Sequence, residues 1–131
     1  MVCLDTTFLV DLIRGNEKVR SLKDNIDKGS EAVTIATPSI IELIKGLKIG
    51  NMRENEEEKI NVLVSSLNIL NLDKDSAILS GRIEGELIKK GDMIDLEDIM
   101  IAAISITNNE KLITRNEKHF KKIKGLEIEV Y

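Results

Sequence analysis

The chain has 131 residues with a net charge of −4, and 42% of its residues are apolar but only 2% aromatic, which suits a single domain, residues 1–131, with an aliphatic core. The one cysteine excludes a disulfide within the chain, and no apolar run approaches the roughly 20 residues that cross a membrane. Because Asp5 and Asp11 interrupt the first apolar run, we expect no signal peptide and predict a cytoplasmic protein without membrane contacts.

Short apolar runs alternate with helical patterns along the whole chain. In chain order the sequence predicts a strand at 2–5, helices at 6–13 and 17–28, a strand at 32–36, helices at 37–49 and 56–66, a strand at 68–72, helices from Asp73 or Asp75 to Lys90 and at 95–107, a strand at 111–114, a helix at 116–122 and a strand at 126–130. Strands that alternate with helices pair in parallel, and such a sheet is covered on both faces. We therefore predict an α/β fold with a short, mostly parallel central sheet.

Acidic residues fall beside the apolar segments, at places that this topology brings together. Asp5 ends the first strand, Glu42 lies in the apolar helix at 37–49, and Asp98 lies in the first turn of the most apolar helix. Ligands of parallel sheets bind at the carboxyl ends of the strands, where these segments meet. Since a carboxylate beside buried hydrocarbon is costly without a positive neighbour, we infer that these acids share a cation.

Two further residues extend this set of candidate ligands. Asp95 shares a helix face with Asp98, and Asn116 follows the fourth strand. Oxygen ligands without cysteine or paired histidine point to Mg²⁺, with Mn²⁺ as a second option, rather than to zinc. Such an ion suits hydrolysis of a phosphodiester, because it neutralises developing charge and lowers the pKa of a bound water.

The acids at the helix starts also have structural interpretations. Asp5 can cap the first helix, although Thr6 and Thr7 are capping candidates too. Asp95 and Asp98 have the spacing of a capping box, and both suit the positive end of a helix dipole. Of these two, Asp95 fits the cap better and Asp98 fits a ligand better, because small residues follow it one turn along the helix.

The remaining candidates have similar alternatives. Glu42 has Lys45 three residues on, which would allow a surface ion pair. Asn116 can cap a helix, and Arg115 can face either a phosphate or solvent. His119 is the only histidine and lies in a lysine-rich segment, so we predict that it is a surface residue.

Four segments together resemble the PIN-domain ribonucleases, and most closely the VapC-type toxins of prokaryotic toxin–antitoxin pairs. Each segment is short, but four in this order and at these separations make the resemblance specific, and it covers essentially the whole chain. The segments are CLDTTFLVDL at 3–12, TPSIIELIKG at 37–46, DLEDIMIAA at 95–103 and LITRNEKHF at 112–120.

The resemblance implies a three-layer α/β/α PIN-like domain, magnesium-dependent cleavage of RNA, a homodimer and inhibition by a VapB-type antitoxin. It places the acidic positions of the family on Asp5, Glu42 and Asp98. The fourth motif often carries aspartate where this chain has Asn116, and Asp95 lies at a variable position, where it enters only as an outer metal ligand. The acidic charge of the chain fits an antitoxin that brings a basic or polar segment into the pocket.

The sequence is therefore interpreted as that of an endoribonuclease. Asp5 and Asp98 would hold the metal, directly or through water. Glu42 would bind the metal or orient the attacking water, and Asn116 would complete the site. Basic side chains would grip the RNA backbone, and the candidates are Lys45, Lys48, Arg82, Arg115, Lys118, Lys121 and Lys122.

Other functions remain as alternatives. A phosphatase that forms an aspartyl phosphate needs a second acid two residues after the first, where this chain has Thr7. A non-catalytic PIN-like module that binds RNA or protein, and a housekeeping nuclease that processes RNA, both fit the same pattern. Hydroxyl groups for a catalytic site would come from Thr6 or Thr114.

Overall fold

The structure, a computed structural model, describes residues 1–50 and 53–131. Its strands are β1 (Val2–Leu4), β2 (Val33–Ala36), β3 (Asn68–Leu70), β4 (Lys111–Thr114) and β5 (Ile128–Val130). They form one sheet in the order β3-β2-β1-β4-β5, and every neighbouring pair is parallel. This sheet confirms the predicted α/β fold and brings the carboxyl ends of β1, β2 and β4 together at one edge.

Helices cover both faces of the sheet. Within the described ranges they are α1 (Thr6–Ile13), α2 (Glu17–Lys28), α3 (Thr37–Lys48), α4 (Glu57–Ser66), α5 (Lys74–Lys89), α6 (Leu96–Thr107) and α7 (Glu117–Phe120), with a 3-10 turn at Glu54–Glu56. None of the helices in the described part of the chain is long and apolar enough to cross a membrane.

Two apolar clusters, one on each face of the sheet, form the core. Val2 and Leu4 of β1 pack with α1 to α4, whereas Cys3 between them packs with α5, α6 and α7. In β4, Ile113 belongs to the same cluster as Val2 and Leu4, and Leu112 belongs to the same cluster as Cys3. Because successive strand residues point to opposite faces, this alternation buries both faces and confirms the three-layer α/β/α arrangement.

Local capping sets the helix starts. Asn16 accepts a hydrogen bond from the Val19 N–H at 3.1 Å and caps α2, and Pro38 lies in the first turn of α3. Asp73 forms a reciprocal capping box with Ser76, which decides between the two caps predicted for α5. β1 and β3 end one and two residues earlier than predicted, β2 and β5 begin one and two residues later, and β4 has the predicted bounds.

A buried acid lies at the other edge of the sheet, next to the amino end of β4. Glu110 is 3% exposed, and its Oε1 has no partner among the described residues. The Thr34 hydroxyl contacts both Glu110 Oε2 and the Val2 carbonyl oxygen, which is 3.1 Å away. That hydroxyl has one hydrogen for two acceptors, so a proton on Glu110 Oε2 would provide the hydrogen that the second contact lacks. Burial raises the pKa of Glu110, while the hydrogen bond with Thr34 and the charge of the Met1 amino group act in the opposite direction.

We expect the substitution Glu110→Gln to stabilise the fold increasingly as the pH rises. The folded protein holds the Glu110 proton more tightly than the unfolded chain, whose glutamates titrate near pH 4.3, so stability is lost above that pH. The amide keeps a donor for Thr34 and does not ionise, and its advantage at neutral pH is on the order of 1 kcal/mol. Urea denaturation between pH 4 and 8 measures this difference. Glu117→Gln, an exposed acid on α7, is the control, and parallel pH curves for Glu110→Gln and the parent would contradict the expectation.

Candidate active site

Asp5 leaves β1 at the edge where three strands end. It occupies the N-cap position of α1, as the capping interpretation predicts, but its side chain makes no capping hydrogen bond. Its Oδ2 instead accepts hydrogen bonds from Thr7 Oγ1 at 2.9 Å and from Thr114 Oγ1, at the end of β4, at 2.7 Å. Its Oδ1 is buried and has no partner among the described residues. One oxygen of Asp5 is thus fixed, and the other remains available to a ligand.

Glu42 reaches the same edge from α3. The Thr6 hydroxyl donates to Glu42 Oε1 at 2.7 Å, and burial together with the Asp5 charge raises the pKa of Glu42. The surface ion pair with Lys45 does not form, because Lys45 Nζ lies 3.4 Å from Glu97 Oε1 on α6. The alternative interpretation of Glu42 is therefore wrong, and its side chain belongs to the acidic cluster.

Asp98 comes from the first turn of α6, a helix that packs against α3. Asp95 occupies the position before this helix without a capping bond from its side chain, so the predicted capping box is not formed. The Asp98 side chain is only 13% exposed, whereas Asp95 is an exposed residue. Burial first, and then the charges of Asp5 and Glu42, raise the pKa of Asp98 to about 7. Asp98 is thus close enough to both acids to feel their charge.

The acidic side chains suit a hard divalent cation. Their donors are oxygen atoms, one of which, Asp5 Oδ1, is buried and unpartnered. In the described residues no three acidic, histidine or cysteine side chains are already arranged to hold a metal ion. Mg²⁺ normally takes only one or two carboxylates and keeps several waters, so Asp5 and Asp98 are the residues that could hold it.

Asn116 lies immediately before α7. It occupies the N-cap position of this helix, as predicted, but its side chain makes no capping hydrogen bond. Its backbone N–H donates to Thr114 Oγ1 at 2.9 Å, and its Nδ2 lies 2.9 Å from His119 Nδ1. The same His119 nitrogen lies 3.6 Å from Asp98 Oδ2, although the ring is 43% exposed. The sequence prediction placed His119 at the surface and missed both contacts; the spacing of three residues signals only the contact with Asn116.

Asp11, another buried acid, lies on α1 itself. Asp11 pairs with Arg115 Nη1 at 3.0 Å and accepts a hydrogen bond from the Tyr131 hydroxyl at 2.9 Å. The Tyr131 ring also packs edge-on against Phe8, with centroids 5.2 Å apart. Arg115, expected to face a phosphate or solvent, is 54% exposed but tied to Asp11. These contacts join β5 and the end of β4 to α1, and no local pattern indicates them.

We expect Asp98→Asn to stabilise the metal-free protein above about pH 4. The raised pKa of Asp98 means that its contribution to stability is complete below the usual aspartate range near 3.9 and is lost as the pH rises through about 7. The asparagine variant avoids this loss, and after allowance for solvent screening its gain at pH 8 is on the order of 1–2 kcal/mol. Urea denaturation with a chelator at pH 4.5 and pH 8 measures it.

Asp24→Asn, which removes an exposed charge from α2, provides the matched control for this measurement. If the parent and Asp98→Asn proteins lose the same stability between the two pH values, ionisation of Asp98 does not destabilise the folded protein.

Comparison with known proteins agrees with this geometry. The family model for the PIN domain matches residues 2–126. Ribonuclease VapC1 of Methanocaldococcus jannaschii is 30% identical over 99% of this chain and 86% of its own length. Ribonuclease VapC2 of Rickettsia felis is 32% identical over 96% of this chain and 94% of its own. The crystal structure of VapBC2 from Rickettsia felis, bound to a promoter DNA fragment, contains a chain with a TM-score of 0.89 and 26% identity, covering 100% of this chain and 99% of that one.

The matched region takes in all the acidic residues at the carboxyl edge of the sheet, and the likeness to the VapC proteins extends over nearly the full length of both partners. The chain therefore belongs to the PIN-domain family and, within it, to the VapC ribonucleases, as its four motifs implied.

Proposed function

We propose that this protein is a magnesium-dependent endoribonuclease that hydrolyses RNA phosphodiester bonds, and that it acts as the toxin of a VapBC-type toxin–antitoxin pair. The observation that carries the proposal is the convergence of Asp5, Glu42 and Asp98 from three separate segments: besides burial, the charge of Asp5 raises the pKa of Glu42, and the charges of both raise the pKa of Asp98. Uncompensated, these charges repel one another in a partly buried site. A divalent cation would offset that repulsion, and the relatives named as ribonucleases support RNA as the substrate.

In this proposal, each residue has a role that follows from its position in the site. Asp5 and Asp98 would hold Mg²⁺, or Mn²⁺, while the exposed Asp95 would act as an outer ligand at the rim. Glu42, fixed by the Thr6 hydroxyl, would bind the ion or accept a proton from the attacking water. When bound, the metal would neutralise charge on the phosphate and activate water. Asn116 would complete the set with an amide oxygen.

The partners of the protein are part of the same proposal. A VapB-type antitoxin would inhibit the nuclease by covering the acidic edge, and the similarity to the VapBC2 assembly supports such a partner. A homodimer is the accompanying assembly, and exposed apolar side chains on α3 and α5 offer it a surface. These side chains are Ile41, Ile44, Ile78 and Ile88.

We expect Asp5→Asn and Asp98→Asn to reduce magnesium-dependent RNA cleavage by about 100-fold or more, since charge stabilisation by a metal is worth several kcal/mol and each 1.36 kcal/mol is tenfold in rate. Cleavage of a defined single-stranded RNA, followed on gels with and without Mg²⁺, measures the loss. Lys89→Gln, an exposed change at the end of α5, should cleave like the parent.

Undiminished magnesium-dependent cleavage by both aspartate variants would refute this assignment. A parent protein that binds Mn²⁺ through Asp5 but cleaves no RNA would favour the non-catalytic PIN-like module instead.

We expect the protein to co-purify with the product of an adjacent reading frame when both are expressed together. Because the proposed attraction is between the acidic edge and a basic or polar segment of the partner, the complex should weaken as the salt concentration rises. Between about 0.1 and 1 M salt the Debye screening length shortens from about 10 to 3 Å. Light scattering after size exclusion gives the masses of the complex and of the free homodimer. Cleavage unaffected by a stoichiometric excess of that partner would contradict its role as an antitoxin.

A further inference from the structure

Tyr131 follows β5 and contacts both of the residues whose hydroxyls fix Asp5. Thr7 and Thr114 donate to Asp5 Oδ2 from two different segments. The Tyr131 N–H donates to the Thr114 carbonyl oxygen at 3.3 Å, which ties Tyr131 to the end of β4. The Tyr131 hydroxyl donates to Asp11 Oδ2 at 2.9 Å and lies 3.5 Å from Thr7 Oγ1. Tyr131 therefore links the end of β4 to the first turns of α1.

The tyrosine hydroxyl is anchored on a buried ion pair. Asp11 is only 8% exposed, and Arg115 Nη1 lies 3.1 Å from its Oδ1 and 3.0 Å from its Oδ2. The guanidinium supplies the positive charge that a buried carboxylate needs. The Tyr131 ring packs edge-on against Phe8, so the aromatic contact holds the ring in place even without its hydroxyl. The hydroxyl can therefore be removed without removing the packing.

The side chain of Thr7 has a choice of conformation that this hydroxyl can decide. Thr7 is the second residue of α1, and a threonine in a helix divides between two χ1 rotamers. In the structure Thr7 Oγ1 donates to Asp5 Oδ2 at 2.9 Å and has the Tyr131 hydroxyl 3.5 Å away. A threonine hydroxyl can accept while it donates, so both contacts are compatible with one rotamer. A rotamer that turned Oγ1 away would lose both of them.

The second hydroxyl on Asp5 is held in other ways. Thr114 is fully buried at the end of β4, and its Oγ1 also accepts from the Asn116 N–H at 2.9 Å. The Asp5 N–H donates to the Ile113 carbonyl oxygen at 3.0 Å, so the backbone already sets Asp5 against this end of β4. Loss of the tyrosine hydroxyl should therefore act on Thr7 and spare Thr114.

We propose that Tyr131 is a positioning residue for the candidate active site: its hydroxyl, anchored on Asp11, selects the Thr7 rotamer that fixes Asp5 Oδ2. This inference rests on the proposed function, because that function gives Asp5 its role. Tyr131 acts through Thr7 and needs no contact with RNA. Since a misplacement of about 1 Å can cost about 100-fold in rate, we expect roughly 10-fold from a freed Thr7 rotamer.

The rotamer of Thr7 can be measured by NMR without RNA and without a metal. Three-bond couplings from each threonine methyl carbon to the backbone nitrogen and carbonyl carbon report χ1. Thr7 should hold one rotamer in the parent protein and should average between rotamers in Tyr131→Phe, whereas Thr114 and the buried Thr34 should not change. An unchanged Thr7 rotamer in Tyr131→Phe overturns the inference. Averaging of Thr7 and Thr114 together would show a general loosening of β5 and would overturn it too.

A double-mutant cycle tests the consequence for RNA cleavage. Tyr131→Phe should lower kcat roughly 10-fold without changing KM for RNA, and it should add little in the Thr7→Val background, where the positioned hydroxyl is absent. The matched control is Glu129→Gln, which removes the 2.8 Å ion pair between β5 and Lys111 of β4 and should cleave like the parent. Equal losses in both backgrounds, or a raised KM with an unchanged kcat, would overturn the positioning role.

The outcomes separate this inference from the proposed function. If Thr7 responds to Tyr131→Phe in a protein that cleaves no RNA, the nuclease is rejected and the control of the Thr7 rotamer by Tyr131 is retained. If the parent protein cleaves RNA but its Thr7 rotamer ignores the tyrosine hydroxyl, the nuclease is retained and the positioning role is rejected. Circular dichroism of each variant confirms that the fold is present.

Discussion

The structure depends on how the carboxylates of Asp5, Glu42 and Asp98 are held close together at the carboxyl edge of the parallel sheet. Three hydroxyl groups do this, since Thr7 and Thr114 donate to Asp5 and Thr6 donates to Glu42. A hydroxyl fixes a carboxylate without cancelling its charge, whereas a lysine or arginine would neutralise it. The carboxylates of Asp5 and Glu42 are therefore oriented without being paired with a positive charge.

The basic residues nearby are engaged with other acids. Lys45 follows Glu42 on the same helix but pairs with Glu97 on α6. Arg115 lies one residue from the end of β4 and pairs with Asp11 of α1. These ion pairs are partly exposed and contribute little stability. Their effect is that both basic side chains pair with acids other than Asp5, Glu42 and Asp98.

The topology and the convergence of Asp5, Glu42 and Asp98 were predictable because the period of the apolar residues fixes the elements and parallel strands share one carboxyl edge. The hydrogen bonds of the site were not predictable from the sequence. Local preference predicts a cap for Asp5, but the carboxylate bonds Thr114, 109 residues away in sequence. The contact of His119 with Asp98 likewise depends on the packing of two helices. Capping rules describe neighbours along the chain, and they carry no information about partners that are distant in sequence.

Asn116 places a neutral amide, rather than a fourth carboxylate, next to the acidic cluster, with its Nδ2 2.9 Å from His119 Nδ1. A fourth carboxylate beside Asp98 would raise the pKa of Asp98 further, because the charges of Asp5 and Glu42 already raise it. An amide adds a polar side chain at this edge without that repulsion. The pKa of Asp98 is therefore raised by burial and by acidic neighbours, with no charge contributed from position 116.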